Sequence, residues 1–207
     1  MREKYYRKKD LKRFFWPHEW KKIYRLANPR QQFTLSFLIG TGARINEARH
    51  VKVEDIDFKR KFLTLKVTKV RAKLKETRPS PRTIAISTQL TRQIKKHIIN
   101  YKLQSTDYLK IHSTEGVDTF LKSLAKKAKI KDWMEFSAHN IRKTFGTYLL
   151  ALGVNGYKVA QHLGHSPEIL RIKYASPDIF SFKDKEEMKN IIGDVYLRLR
   201  EDYIRNY

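Results

Sequence analysis

The stretch HNIRKTFGTYLLALG, residues 139–153, has the pattern of one long helix that ends at Gly153. Residues three apart lie on the same face of a helix, so His139 and Arg142 point the same way. Taken alone, such a pair is compatible with an ordinary solvated basic face. Helical patterns dominate the rest of the second half as well, which predicts a mainly helical chain.

The first half of the chain adds further helices and a small sheet. Residues 17–27 predict a helix, residues 30–42 a buried helix that stops at two glycines, and residues 43–53 a further short helix. Residues 62–67 alternate in polarity and residues 82–87 form a second extended run, which together predict a β-hairpin with a long basic tip. We therefore expect an α+β fold, mainly helical, with a small antiparallel β-sheet.

Several helix ends carry sequence signals. Ser87 or Thr88 can cap the helix that follows them, Gly164 ends another helix, and Ser166 can cap the next one. The tail of residues 182–207 is amphipathic. Its apolar side is formed by Met188, Ile191, Ile192 and Val195.

The charge of the chain indicates a polyanionic partner. Lysine and arginine total 45 against 21 acidic residues, which gives a formal charge of +24. A folded domain with this excess repels itself, and the usual reason to tolerate it is a polyanion bound along an extended surface. Nucleic acid is the preferred partner, and an acidic lipid surface or a merely solvated basic surface are the alternatives.

The sequence contains no cysteine, which excludes disulfides and thiolate metal sites. Its basic start, MREKYYRKKDLKRF, lacks the apolar core of a signal peptide, and no run is long enough to span a bilayer. We expect a protein that works inside a cell without a membrane partner.

Cleavage of a phosphodiester without a metal needs fixed positive donors on the non-bridging oxygens. Arginine suits this task, because its planar fork bonds two oxygens at once and stays charged. Arg44 stands just after a glycine turn with Glu47 one turn later, and Arg142 stands beside His139. Each of these residues, taken alone, has an ordinary surface role as its alternative.

Four segments together carry a more specific signal. They are TGARINE at 41–47, HNIRKTFGT at 139–147, LGH at 163–165, and Tyr174, nine residues after His165. Their order, spacing and glycine context resemble the tyrosine recombinase (phage integrase) family over about residues 15–175. Lys143 departs from the pattern, since many relatives have a second histidine there.

The resemblance implies cleavage and rejoining of DNA through a 3′-phosphotyrosine, with no metal and no cofactor. Tyr174 would be the nucleophile, and His139 would add a hydrogen bond or accept a proton. The scissile phosphate would be held by Arg44, Arg142 and His165. A phenol, with an ordinary pKa of about 10, reacts only in a positively charged, water-poor pocket.

Two supporting roles also follow from the resemblance. Glu47 would orient Arg44 through a carboxylate–guanidinium contact. A hairpin lysine would be the general acid toward the departing 5′ oxygen, and Lys69 is our assignment, with Lys66, Lys73 and Lys75 as alternatives. A desolvated lysine has a lowered pKa, which suits this role.

The domain prediction has three parts: residues 1–14 as a basic arm or linker, 15–175 as the catalytic domain, and 176–207 as a tail that packs on a neighbouring protomer or on its own domain. Relatives usually carry a further N-terminal DNA-clamping domain, so we expect a fragment of a longer integrase or a minimal one. The expected partners are a double-stranded DNA recombination site and further copies in a synaptic tetramer, in the cytoplasm or nucleoid of a prokaryotic host.

The basic arm and hairpin supply the residues that we expect to contact DNA, with plain solvation as the alternative for each. They are Arg7, Lys8, Lys9, Arg71, Lys73, Lys75, Arg78 and Arg82.

Three other functions remain open. A type IB topoisomerase uses the same nucleophile and donors and differs in assembly. A DNA-binding module that has lost catalysis is the second alternative. The third is a metal-dependent nuclease built on His139, His162 and His165, which lacks a nearby carboxylate to complete the site.

Overall fold

The structure, a computed structural model, describes residues 13–66, 81–164, 166 and 179–204, with side chains up to residue 200. The helices in these ranges are α1 (Pro17–Leu26), α2 (Pro29–Thr41), α3 (Ile45–Arg49), α4 (Thr88–Tyr101), α5 (Thr114–Lys127), α6 (Ala138–Ala151), α7 (Gly156–Leu163), α8 (Phe182–Ile192) and α9 (Val195–Ile204). The strands are β1 (Ile56–Asp57), β2 (Phe62–Leu65) and β3 (Arg82–Ala85). The predicted mainly helical α+β fold is confirmed. No helix in the described part of the chain is both long and apolar enough to cross a membrane.

Helices α2 and α6 form the centre of the core. Both are buried along most of their length, because their apolar residues are spread around the helix and not confined to one stripe. Phe37 of α2 and Phe145 and Leu149 of α6 are completely buried. Helix α2 also packs on α4 and α8, and helix α6 also packs on α7.

The chain enters the core earlier than the sequence suggested. Phe14 is buried, and Arg13 forms an ion pair with Glu19 at 2.5 Å. Phe15 accepts a hydrogen bond from the hydroxyl of Tyr148 in α6 at 2.9 Å. Arg13 and Phe14 therefore contact the packed body, and residues 1–12 of the predicted arm lie outside the described residues.

The sheet is antiparallel with the order β1-β2-β3. Its register places Leu63 opposite Ile84 and Leu65 opposite Arg82. Leu63 and Leu65 are fully buried while Phe62 is exposed, so the predicted alternation of this strand is present. Strand β1 is only two residues long and was not predicted as a separate strand. The basic tip of the hairpin, residues 67–80, lies outside the described residues.

Glycines end two helices that lead to the same region. Gly42 follows α2 with φ +60°, and a Cβ there would lie 2.3 Å from Cδ1 of Phe145, so only glycine fits. Gly164 follows α7 with φ +64°. At the start of α4, the Ser87 side chain accepts from the Leu90 amide at 3.0 Å, which makes Ser87 the cap.

The C-terminal helices pack on the same domain. Helix α8 lies against α1, α2 and α6, and α9 lies against β3. Asp194, between α8 and α9, accepts hydrogen bonds from the amide and the hydroxyl of Thr88 at 2.7 and 2.6 Å. The buried apolar residues of these helices are Met188, Ile192, Val195 and Leu199. Packing of the tail on a neighbouring protomer stays a prediction.

Candidate active site

Arg44 and Glu47 lie at the start of α3, just after the glycine end of α2. Arg44 is the N-cap of this helix, and its backbone amide donates to Glu47 Oε2 at 2.8 Å. Its guanidinium Nη1 donates to Glu47 Oε1, also at 2.8 Å. The Arg44 side chain is 47% exposed, whereas that of Glu47 is 6% exposed. The cation is therefore held by a buried carboxylate and still faces solvent.

Arg142 comes from α6 and reaches the same region from the core side. Its Nη1 donates to the carbonyl of Gly42 at 2.7 Å, and its Nη2 donates to the carbonyl of Leu163. The residue is 2% exposed. Arg142 therefore connects α6 to the ends of both α2 and α7.

Three arginines meet at the C-terminal end of α7, where three successive carbonyls each accept one hydrogen bond. His162 O accepts from Arg82 Nε at 3.0 Å, and Gly164 O accepts from Arg44 Nη2 at 3.3 Å. The carbonyl between them is the Leu163 carbonyl bound by Arg142. The last carbonyls of a helix lack intrahelical partners and carry the negative end of its dipole, so cations stabilise them.

Glu47 is the acidic centre of this arginine cluster, which we define as Arg44, Arg82 and Arg142. Arg82 donates two hydrogen bonds to Glu47, from Nη1 to Oε1 and from Nη2 to Oε2, each at 2.8 Å. Burial alone would raise the pKa of Glu47, but the hydrogen bonds and charge of Arg82, together with the hydrogen bonds from Arg44, lower it to about 2. Glu47 is therefore ionised at neutral pH.

The place of Arg82 differs from what its sequence position suggested. We assigned it to DNA contact with the rest of the hairpin, but its fork is occupied by Glu47 and its side chain is 17% exposed. Its contact with DNA stays a prediction. The extended pattern of residues 82–87 indicates a strand but not the partner of the first side chain.

His139 lies in the first turn of α6, one turn before Arg142, and is exposed. The other predicted reactive residues, Lys69, His165 and Tyr174, lie outside the described residues, as do these predicted DNA contacts: Arg7, Lys8, Lys9, Arg71, Lys73, Lys75 and Arg78. Arg44 of the arginine cluster donates to the carbonyl of Gly164, and Gly164 is the residue directly before His165 in the sequence.

Lys66, one of the alternatives for the general acid, is paired. Its Nζ lies 2.6 Å from Asp55 Oδ1, and this hydrogen bond raises the pKa of Lys66. A general acid needs a pKa lowered toward the working pH. The contact with Asp55 therefore disfavours Lys66 and leaves Lys69 as our assignment.

His162 and Lys143, two titratable residues beside the cluster, are buried, which the sequence did not predict. His162 is buried, and its Nε2 donates to the carbonyl of Thr41 at 3.0 Å. Burial lowers its pKa to about 4, so the ring is neutral and joins the ends of α2 and α7. Burial also lowers the pKa of Lys143, next to Arg142, to about 8.

The arrangement suits an anion. Arg44 and Arg82 share the carboxylate of Glu47, and Arg142 adds a third guanidinium group at the same helix end, which leaves an excess of positive charge beside an exposed arginine. Fixed guanidinium groups bind phosphate oxygens without rearrangement, and in a partly buried site their attraction is stronger than in water. The geometry can therefore hold a phosphate and stabilise charge that develops on it.

Known proteins resemble this chain in sequence. The sequence model of the phage integrase family matches residues 13–178. The tyrosine recombinase XerA of Pyrococcus furiosus is 29% identical over 178 residues, which cover 80% of this chain and 57% of that protein. The tyrosine recombinase XerC of Oceanobacillus iheyensis is 25% identical over 170 residues, covering 77% of this chain and 51% of that protein. The chain spans just over half the length of these relatives.

Solved structures show the same fold. A crystal structure of XerA recombinase matches 89% of this chain and 64% of its own chain, with a TM-score of 0.61 and 20% identity. The integrase of transposon Tn1549, in complex with transposon right end DNA, matches 87% of this chain and 66% of its own, with a TM-score of 0.64 and 17% identity. Because the family match covers well over half of its residues, the chain belongs to the phage integrase family.

Proposed function

We propose that this chain cuts and rejoins double-stranded DNA at specific sites, as the catalytic domain of a recombinase that forms a 3′-phosphotyrosine. The observation that carries the proposal is the meeting of Arg44 and Arg142 at the end of α7. Segments far apart in sequence bring the two guanidinium groups to neighbouring carbonyls, those of Gly164 and Leu163. A site assembled from distant segments is the arrangement that phosphoryl transfer needs, because its catalysis depends on positioning and charge.

Arg44 and Arg142 have different parts in holding the phosphate. The half-exposed side chain of Arg44 can donate directly to a non-bridging oxygen while Glu47 fixes its orientation. Arg142 is buried and supplies positive charge from the core side, where its attraction for the phosphate is less screened by solvent. His165 completes this set in the proposal.

The proposed reaction exchanges one phosphate ester for another. The phenol oxygen of Tyr174 forms a bond to phosphorus while the bond from phosphorus to the 5′ oxygen breaks. The phenol proton passes to His139, and Lys69 donates a proton to the departing 5′ oxygen. The reverse steps rejoin the strand, so no external energy source is needed.

The charge of the chain supports DNA as the partner. A formal charge of +24 is enough for an extended set of phosphate contacts, and such binding weakens steeply as salt concentration rises. The Tn1549 integrase, which has the same fold, is bound to DNA in its structure. The basic arm and hairpin are the proposed DNA-contacting segments.

Strand exchange between two duplexes requires four cleaved strands, so we assign the recombining form to a tetramer of the chain on DNA. The place of action is the interior of a prokaryotic cell, since Pyrococcus and Oceanobacillus, the sources of the relatives above, are prokaryotes. Assembly can be measured by light scattering of the chain with and without a cleavable duplex.

A covalent-capture experiment tests the reaction class. The chain is incubated in EDTA with duplexes that carry a randomised segment and a nearby nick, so that the short released fragment with the free 5′-hydroxyl diffuses away. We expect a protein–DNA band on a denaturing gel, and sequencing of its DNA identifies the target site. Tyr174→Phe is expected to abolish the band. A band that persists in the Phe variant, or that requires a divalent metal, contradicts the proposal.

A further inference from the structure

We infer that Arg82 is a positioning residue of this active site, which fixes Glu47, and through it Arg44, against the end of α7. The inference rests on the proposed function, because positioning has meaning only for a reaction at Arg44. Its evidence is the set of contacts that Arg82 makes in the cluster, its place in the sheet, and its low exposure.

Arg82 fixes the plane of the Glu47 carboxylate. Arg82 bonds both oxygens of this group in a two-bond fork, which fixes the plane as well as the position of the carboxylate. Arg44 then donates to one of those oxygens. A long, half-exposed side chain loses its rotamer freedom only if its partner is itself fixed, so the order of Arg44 depends on Arg82.

Arg82 is itself held in place by its backbone and by its side chain. Its backbone is set by the sheet, where it pairs with Leu65. Its Nε donates to His162 O in α7, and its side chain lies against Gly164, where an added Cβ would be 3.4 Å from three atoms of the Arg82 side chain. Arg82 therefore connects β3, α3 and α7 through one rigid planar group.

Arg82 differs from the solvent-facing arginine Arg44 in its exposure and in its pairing. Its charge is matched by Glu47, and its side chain is 17% exposed, against 47% for Arg44. Binding a DNA phosphate through the fork would require Arg82 to leave Glu47. By neutralising Glu47, Arg82 also leaves the charge of Arg44 available to the substrate.

The test is Arg82→Met, measured in two assays with the nicked duplex identified by covalent capture. Single-turnover adduct formation is expected to slow by about 100-fold, the cost of a displaced catalytic group. Affinity for the same duplex, measured by fluorescence anisotropy at several salt concentrations, is expected to stay near the wild-type value with an unchanged salt slope. Loss of one phosphate contact would instead reduce that slope by about 0.9.

A matched control is Arg198→Met. Arg198 also donates to two backbone carbonyls, those of Lys61 and Ile86, each at 2.6 Å, and its guanidinium lies over the ring of Phe62 in β2. We expect this variant to lose stability like Arg82→Met but to form the adduct at the wild-type rate when folded.

A double variant tests the route through Glu47. If Arg82 acts by fixing Glu47, then Arg82→Met combined with Glu47→Gln is about as slow as Glu47→Gln alone. If the two losses multiply, the route through Glu47 is wrong. Arg82→Lys serves if Arg82→Met does not fold, because one ammonium group cannot span both Glu47 oxygens and the His162 carbonyl, and a full rate in this variant overturns the inference.

Failure of the inference and failure of the proposed function give different results. A wild-type adduct together with a near wild-type rate in Arg82→Met overturns the positioning role alone. A changed salt slope in Arg82→Met makes Arg82 a direct DNA contact and also overturns it. Absence of any adduct with the wild-type chain rejects the proposed function, and the inference is rejected with it.

Discussion

Arg142 donates from Nη1 to the carbonyl oxygen of Gly42 at 2.7 Å, which joins the central helix α6 to the end of α2. Arg142 is buried, whereas Arg44, assigned to the same phosphate, is half exposed. The two arginines therefore share a proposed role in the reaction but differ in what they contribute to the fold.

Replacing each arginine with alanine should separate these contributions. Arg142→Ala leaves the carbonyls of Gly42 and Leu163 without their donors, so we expect the free energy of unfolding to fall by about 3 kcal/mol. Arg44→Ala is expected to lower it by less than about 1 kcal/mol. Both variants should slow adduct formation by at least about 100-fold. Urea denaturation checks the first pair of values, and equal losses of stability would contradict this reading.

Glu47 should make stability depend on pH. Its pKa falls from 4.5 to about 2 on folding, so the unfolded chain binds more protons between these values. The stabilisation is fully present above pH 4.5 and is lost as the pH falls toward 2. Near neutral pH, the free energy of unfolding of the wild-type chain should exceed that of Glu47→Gln by about 3 kcal/mol. This difference should shrink on acidification from pH 5 to pH 3, and a constant difference would show that Glu47 has an ordinary pKa.

Lys143 should make stability rise with pH as well, but in the alkaline range. Burial lowers its pKa from 10.5 to about 8, so the cost of keeping a buried ammonium group is fully present below pH 8. It is relieved as the pH rises from 8 toward 10.5, because the folded chain then carries the neutral amine. Relative to Lys143→Met, the wild-type chain should therefore gain stability over this range. Unfolding curves that keep a fixed separation from pH 7 to pH 10 would reject the shift.

Two glycines with similar backbone angles should tolerate alanine differently. At Gly42 an added Cβ would lie 2.3 Å from the Phe145 ring, but at Gly164 it would only touch Arg82 at 3.4 Å. We expect Gly42→Ala to cost more than about 3 kcal/mol and Gly164→Ala about 1–2 kcal/mol, the cost of the left-handed conformation alone. Thermal unfolding of the two variants checks the ranking. Similar losses at both sites would mean that the Phe145 ring can move aside.

The fold was predictable because its signals are local. Alternation of polarity identified the strand with Leu63 and Leu65, and glycine after an apolar run identified the helix ends at Gly42 and Gly164. These signals depend on the period of side-chain burial and on backbone conformation, which neighbouring residues determine. The two-residue strand β1 is too short to show a period, so it was missed.

The arrangement of the cluster was less predictable because it depends on contacts between distant segments. Glu47 and Arg82 are 35 residues apart, and their fork depends on the strand register and on the packing of α3. Likewise, the spacing of His139 and Arg142 shows that they share a helix face but not that Arg142 is buried. The same limit applies to His162, whose ring bonds a carbonyl 121 residues away.

Attack by Tyr174 on a DNA phosphate can be established by locating the adduct by mass spectrometry. The captured complex is digested with nuclease and trypsin, and the tryptic peptide that carries Tyr174 contains no other tyrosine. The tryptic peptide of residues 144–158 holds both buried Tyr148, whose hydroxyl donates to Phe15, and exposed Tyr157, and it should carry no nucleotide. We expect a nucleotide on the Tyr174 peptide, and a nucleotide on the peptide of Tyr157 or Tyr196, or on no tyrosine, would show that Tyr174 is not the nucleophile.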